Sequence, residues 1–550
     1  MLSLSEIHFG SNDAINYRNN NRTKDMFNSI FVKDEKLDRL MLEDKYFLVG
    51  EKGTGKTAYA TFLENNEYQG TLSKVVEIGS TDYSIFMKLK KMELIQLSDY
   101  TKIWKIIILM IMASSIQKKE IASFGPRRSQ KFCELQDGIE DYYEKAFIPE
   151  IANTFRYILD SVDILEAQAK TEILNSTLLA KSSSSKKASN EANIKKFQNS
   201  LSALDQKFSD AFARLKISKN RFLFLDSIDI NLSDFESKDY EICLKGLANA
   251  VWDVNTRVFK TMAIEGGYLK VVLSIRPDIF ANLNLHNQAN KIRDNSVLLD
   301  WRTTYENYRT SSLFKLCNRL LAYNNPGLPE DDYWDFYFPW KTIYQTKRYD
   351  DDSFINCLRL SLSRPRDAIS IMKAIQAACI RDGKKEISSL RHFQDNDTQN
   401  EISNYYIDEA RDWCLYKFGG KGFETLMFFF QFLQGNSRFT YEEFLNVFEK
   451  YQKQVADRNM EIIEEILNHD EFLQLIYDLN MICYFDKDFR DLPLIRFCYR
   501  EREIYNLTPK IKTGAIYGVH HALLKALNLG KNPIFEIEKS SSKNEEDEPA

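Results

Sequence analysis

Cysteine and histidine are sparse in this chain of 550 residues: eight Cys, with no C-x-x-C pair among them, and six scattered His. That pattern argues against a zinc ribbon or a disulfide framework and fits a reduced cytoplasm, where we expect the protein to reside. Long apolar runs are also missing. The longest, Ile106 to Ala113 (IIILMIMA), falls far short of the roughly 20 residues that span a bilayer, so no membrane association is expected. The opening stretch, MLSLSEIHFGSND, has no basic start and no long apolar core, so no secretory signal is expected. There is no strong charge of one sign: the formal net charge of −5 gives no global attraction to nucleic acid or anionic lipid. No internal repeat is evident. What is present is ordinary for a globular protein, 44% apolar and 28% charged, in a chain too long for one core. About three domains are the prior.

Along the chain, residues 1–45 read as an N-terminal arm, polar with Asn clusters and then amphipathic, with Leu37, Leu40 and Leu42 near one helical face. Apolar strands are expected at 46–49, 73–79, 221–230 and 268–280, with helices between them, around Trp104 and around LKGLANAVWDV. Strands alternating with helices predict an α/β core with a parallel sheet, over 46–310. Within it, about 130–215 reads as a long helical insertion broken at 181–190 by KSSSSKKASN, which cannot bury a face and is expected to be a flexible tip. Residues 311–390 are expected to be mainly helical, 403–505 a separate small domain, and 506–550 a packing helix (YGVHHALLKALNLG) followed by a charged disordered tail.

Glycine is uncommon, 20 in all, yet three glycines stand between residues 50 and 55. The stretch Gly50-Glu51-Lys52-Gly53-Thr54-Gly55-Lys56-Thr57 fits G-x-x-x-x-G-K-[ST], after an apolar strand and before a helix-like segment. Glycines let the backbone curl so that successive N–H groups point at one anion, and the helix that follows adds its positive end. Lys56 is placed to reach the β- and γ-phosphates, and the Thr57 hydroxyl to ligate Mg²⁺. Gly50, Gly53, Thr54, Gly55, Lys56, Thr57 and Ala58 are therefore the candidate nucleotide contacts, with ATP and Mg²⁺ as the expected ligands. A glycine-rich turn that binds nothing is the plain alternative, which the flanking strand and helix make the poorer reading.

A phosphate loop needs an acid at a neighbouring strand end. FLFLDSID supplies Asp226, which would hold Mg²⁺ through water, and Asp229, which would orient the attacking water. Ser227 stands where many ring ATPases carry the catalytic glutamate, which points to slow hydrolysis. The strand ending Ser274-Ile275-Arg276 offers Arg276 either as a γ-phosphate sensor or as a structural partner of Asp278. In SLSRPRDAISIMKAIQ, Pro365 suits a first helical turn, and Arg366 either swings toward the phosphates or is an exposed helix-start arginine. Guanine readers use Asn-Lys-x-Asp; NKIRD at 290–294 has one residue too many, so ATP is preferred. Small-molecule kinases share the loop but are usually compact, without so long a C-terminal extension.

The segment 439–501 reads helix, helix, strand, turn, strand, a winged-helix pattern whose MICYF and LIRFCYR flank an Asp-rich turn. Between 441 and 503, eight Lys/Arg face fifteen Asp/Glu. Phosphate contacts dominate DNA affinity, so this acidic module points to protein contact instead. Adjacent His520 and His521 point to different helical faces and make a poor metal site. Lys181, Lys186, Lys187, Lys195 and Lys196 give the insertion a basic stretch, either a solvated tip or a nucleic-acid contact.

Taken together, HFGSNDA (8–14), FLVGEKGTGKT, FLFLDSID, the 271–301 stretch from VVLSIRPDIF to NKIRDNSVLLDW, and SRPRDAI resemble a family of bacterial P-loop ATPases of largely unassigned function. More broadly the chain is similar to the STAND, KAP and origin-recognition branches of AAA+-like ATPases. The resemblance implies an ASCE-type core, a helical lid and a C-terminal winged-helix module. It also implies a nucleotide-driven switch, in a group often found in antiphage defence operons. The leading expectation is an ATPase switch acting on a protein partner or on its own copies. The rivals are a DNA-acting motor or loader using the insertion and winged helix, and a scaffold that binds nucleotide without turnover.

Overall fold

The computed structural model describes the chain except residues 122–125, 144–150, 152–156, 161–186, 227–236, 263–265, 343–350, 488–490 and 531–550, and single positions 19, 92, 94, 214, 324 and 492. Five parallel strands form the central sheet: β1 (Phe47–Val49), β2 (Thr71–Glu77), β3 (Asn220–Asp226), β4 (Leu269–Ile275) and β5 (Ser296–Leu298), in the order β2-β3-β4-β1-β5. An α/β fold with a parallel sheet is thus observed, and the order is compatible with a P-loop NTPase-like fold. The strands alternate faces. Leu48, Val75, Phe222, Phe224, Val272 and Val297 pack into one buried core, and Phe47, Val49, Val76, Leu223, Leu225, Val271 and Leu273 into the other. Burial on both faces explains why these strands read as continuous apolar runs.

Helices α1 (Lys24–Ile30), α2 (Glu35–Met41) and α3 (Lys56–Asn65) cover the first face. The arm helix α2 is fixed by its N-cap, Asp34, whose side chain accepts from the Lys36 and Leu37 amides. Leu37 and Leu40 are buried as expected, but Leu42 lies just past the helix end, turned to solvent, and Met41 fills the core instead. The second face is covered by α4 (Ser80–Lys91), α5 (Leu97–Ser115), α6 (Pro126–Tyr143), α7 (Lys187–Phe212) and α8 (Ser237–Asp253). In α5 every residue of the apolar run Ile106 to Ala113 is at most 1% exposed, so the run is a helix buried on all sides. Helix α7 begins at Lys187, so the expected tip at 181–190 is helical over its last four residues, while 181–186 lie outside the described residues. The strand expected to run to 280 stops at Ile275, because Pro277 opens a separate helix, α9 (Pro277–Asn282), followed by α10 (Gln288–Asn295).

Residues 312–381 are mainly helical: α11 (Ser312–Ala322), α12 (Tyr333–Tyr337), α13 (Ser353–Leu360) and α14 (Pro365–Arg381), with Pro365 in the first turn of α14 as its sequence predicts. After the short α15 (Leu390–Gln394), α16 (Asn396–Phe428) is one long helix running past position 403, so the C-terminal module is joined by a helix and not by a loose linker. The module contains β6 (Arg438–Thr440), α17 (Tyr441–Asp457), α18 (His469–Asp478), the antiparallel pair β7 (Ile482–Lys487) and β8 (Pro493–Phe497), and β9 (Ile516–Val519). Its sheet order is β8-β7-β9-β6. The packing helix expected at 517–530 is therefore corrected. Ile516–Val519 is a strand between β7 and β6, followed by a single 3-10 turn at His521–Leu523, so the module extends beyond 505. Pairing to two strands overrides the helical spacing of the apolar residues. Among the described residues, no helix is long and apolar enough to cross a membrane.

Candidate functional site

The C-terminal ends of β1 to β4 open into a cleft of about 820 Å³, where ligands bind in open α/β sheets. Its floor is the Gly50–Thr57 loop. Gly53 and Gly55 have φ of +83° and +93°, which residues with a Cβ rarely adopt, so the curl depends on them. The loop is braced from several elements. Trp301 Nε1 donates to Thr54 O at 2.8 Å, Arg364 Nη1 to Lys52 O at 2.8 Å, and Lys56 Nζ to Gly50 O and Glu51 O at 2.8 and 3.1 Å.

Asp226 faces this cleft from the end of β3. It is 2% exposed, and among the described residues its Oδ2 has no hydrogen-bond partner. Ser274 Oγ, one strand over on β4, is likewise buried and has no partner among the described residues. A buried carboxylate oxygen without a donor is costly unless a cation answers it. With the Thr57 hydroxyl on the same cleft wall, Asp226 supplies the hard oxygen donors that Mg²⁺ takes. The donor set therefore fits the expected ion.

The two candidate sensor arginines stand in different places. Arg366 lines the cleft, with its amide donating to Gly53 O at 3.4 Å. Its neighbour Arg364 is buried and forks onto Asp367, which also accepts from Tyr405. Arg276 is absent from the cleft wall. Its guanidinium donates to both oxygens of Asp278 and lies 5.6 Å from the Trp413 ring. Burial would raise the Asp278 carboxyl, but Arg276, with Arg502 behind it, outweighs that and holds it down at about 2. Arg276 thus makes the pair with Asp278 that its structural reading expects, and Ser274 is the group from that strand that meets the cleft. Asp229 lies outside the described residues. The NKIRD helix, α10, ends at the opposite end of the strands from the cleft: Asn295 O accepts from the Tyr46 amide just before β1.

Several cleft residues escape a motif search. The arm contributes Phe9, Ser11, Asn12, Asp13, Ala14 and Tyr17, most of the HFGSNDA stretch. Glu77 ends β2 directly beside Asp226 in the register. Asp82 takes the Gly79 amide at 2.7 Å, capping α4; burial raises its carboxyl to about 6, with that N–H opposing. The signal for Asp82 was present, a carboxylate three residues after a strand-end glycine. Glu409 on α16 is a hub: Lys52, Arg364 and Arg366 approach it at 3.5, 3.4 and 3.6 Å. Behind the loop, Arg502 of the C-terminal module donates to Glu51 Oε1 at 2.6 Å. His520 is buried, with its Nδ1 accepting from the Ala522 amide at the start of the 3-10 turn.

No family model matches the chain, and no curated protein matches it.

Proposed function

We propose that this chain binds and hydrolyses ATP, and that it works as a nucleotide-driven conformational switch acting on a protein partner or on further copies of itself. The observation that carries the reading is Asp226, a buried carboxylate whose Oδ2 has no partner among the described residues, in one cleft with Lys56 and Thr57. Loop amides and Lys56 bind the phosphates. Arg366 adds a second cation at the rim. Thr57 and Asp226 would hold Mg²⁺, which would supply neutralising charge between the β- and γ-phosphates. The apolar wall formed by Phe9, Tyr17 and Phe31 of the arm with Leu316 and Ile369 suits a flat base. ATP is favoured over GTP because the Asn290–Asp294 stretch sits at the other end of the sheet.

The switch reading rests on what grips the loop from outside. Lys52 pairs with Glu409 and Asp412 of α16, Arg364 of the 312–381 segment donates to Lys52 O, and Arg502 of the C-terminal module pairs with Glu51. We read 312–381 as a lid and the C-terminal module as a winged-helix-like relay. Any change of the loop on binding nucleotide then acts directly on both. The acidic balance of the module favours a protein as its target over DNA.

The test is Lys56→Ala. Its circular dichroism and melting should match the parent, while calorimetry with MgATP should show binding lost and turnover abolished. Unchanged MgATP binding and hydrolysis would overturn the assignment.

A further inference from the structure

The proposed hydrolysis needs a group that orients the attacking water; Ser227 stands where the usual acid would, and Asp229, the candidate from the sequence, lies outside the described residues. Three described carboxylates line the cleft close to β3: Asp226, Asp82 and Glu77. Asp226 is the candidate magnesium residue. Asp82 is 5% exposed and spends Oδ2 on the α4 cap. Glu77 differs from both. It ends β2 as the register partner of Asp226, so the two backbones stand one strand spacing apart, about 4.8 Å. Its side chain is 41% exposed while lining the same cleft.

Glu77 is also held. Arg18, one residue beyond the cleft residue Tyr17, forks between two acids. It grips Glu64 of α3 with Nε and Nη2, and donates Nη1 to Glu77 Oε1 at 2.8 Å. Nη2 also reaches Val75 O on β2, and Glu64 takes the Val75 amide at 2.9 Å. Glu64 therefore fixes the guanidinium to helix and strand, and the guanidinium fixes only one oxygen of Glu77. Among the described residues no donor reaches Glu77 Oε2.

From this placement, and resting on the ATPase reading above, we propose that Glu77 is the catalytic carboxylate that orients and deprotonates the attacking water, with Arg18 as its positioning residue. The water oxygen bonds to the γ-phosphorus as the bond from that phosphorus to the bridging oxygen of ADP breaks. The bridging electron pair leaves on ADP, and the water proton passes to Glu77 and then to solvent. No redox partner is involved. The N-terminal arm thereby becomes part of the catalytic apparatus as well as a wall of the base pocket.

The experiment measures MgATP affinity by calorimetry and single-turnover hydrolysis for the full-length parent, Glu77→Gln, Glu77→Asp, Arg18→Gln and the Arg18→Gln/Glu77→Gln double variant. Glu77→Gln should keep MgATP affinity within about threefold and lose about 100-fold or more in rate, the ordinary scale of general-base removal. Glu77→Asp should recover part of that loss. Arg18→Gln should lower kcat about tenfold with KM unchanged, and the double variant should equal Glu77→Gln, because residues acting as one unit are not additive. A Glu77→Gln rate within twofold of the parent, with binding intact, overturns this inference and leaves the ATPase reading standing. So does an Arg18→Gln loss that persists in full on top of Glu77→Gln. A parent that binds no MgATP overturns the nucleotide reading itself, which separates the two failures.

Discussion

Replacing Arg502 by Met tests whether the C-terminal module is mechanically coupled to the Gly50–Thr57 loop. Arg502 is 8% exposed and ties Glu51 Oε1 at 2.6 Å, while its Nη2 donates to Asp478 O at 3.3 Å. Methionine keeps much of the side-chain bulk and removes the charge. Breaking a buried pair by deleting one partner costs about 3–5 kcal/mol, because the other charge stays behind. The Glu51 side chain is 17% exposed, so water answers part of it, and we take the lower end, about 3 kcal/mol. That is roughly a 150-fold rise in the equilibrium for opening this junction, at 1.4 kcal/mol per tenfold. Hydrogen exchange read by mass spectrometry should show the rise in two peptides together, one across 47–57 and one across 496–506. A double-mutant cycle with Glu51→Gln should return a coupling of about 2–3 kcal/mol, within the range for contacting residues. Exchange that rises at 496–506 but not at 47–57, or a coupling below about 0.5 kcal/mol, refutes the claim that the module and the loop open as one unit.

The other perturbations are simpler. Asp226→Asn should weaken nucleotide binding in magnesium far more than in EDTA, since it removes the charge of the candidate ligand; equal affinities in both variants and both buffers would remove Asp226 from the ion site. Full-length protein should bind duplex DNA weakly at physiological salt with a shallow log-salt slope, given the acidic module; tight binding with a steep slope would favour the motor reading. The full chain is required because a 403–505 fragment lacks β9, which lies between β7 and β6. Burial, reinforced by His521, Arg500 and Arg364, pulls the His520 imidazole down to about 3. A depressed histidine leaves the folded state unprotonated while the unfolded chain protonates near 6.5, so stability is full above that pH and falls as pH drops toward 3. Between pH 6.5 and 5 the His520 contribution should fall by about 1.6 kcal/mol, seen as a melting-temperature difference between the parent and His520→Asn that narrows across that window.

How far the sequence could be read depended on how local each signal was. The candidate phosphate loop is written within eight residues, and the strand before it and helix after it needed only their own composition. The four strands whose ends form the cleft were legible for the same reason, since a sheet buried on both faces leaves uninterrupted apolar runs. Ambiguity began where two local readings were both possible. Arg276 has Asp278 two positions on, and only the turn into α9 decides that the pair closes on itself and away from the cleft. YGVHHALL has helical spacing, yet its first residues become a strand because β6 and β7 wait on either side with unpaired backbone.

The contacts that make a switch plausible were the least legible of all. Glu51 and Arg502 stand 451 positions apart, Lys52 and Asp412 stand 360 apart, and neither pair has any pattern of its own. Each of the four side chains reads alone as a solvated surface charge. What gives them meaning is that both partners on the loop side are the variable positions of the G-x-x-x-x-G-K-[ST] motif. The invariant positions of such a loop are occupied with phosphate, and their side chains or amides point inward. The variable ones point outward and are free to carry whatever connection a given protein needs. Here both of the first two variable positions are charged, of opposite sign, and each is met by its complement from a different C-terminal element: Glu51 by the module that carries Arg502, Lys52 by the long helix α16. A loop that needed only to bind phosphate has no use for that arrangement. A loop that must report its state to two separate elements has, and this is the physical ground for preferring a switch to a passive nucleotide scaffold.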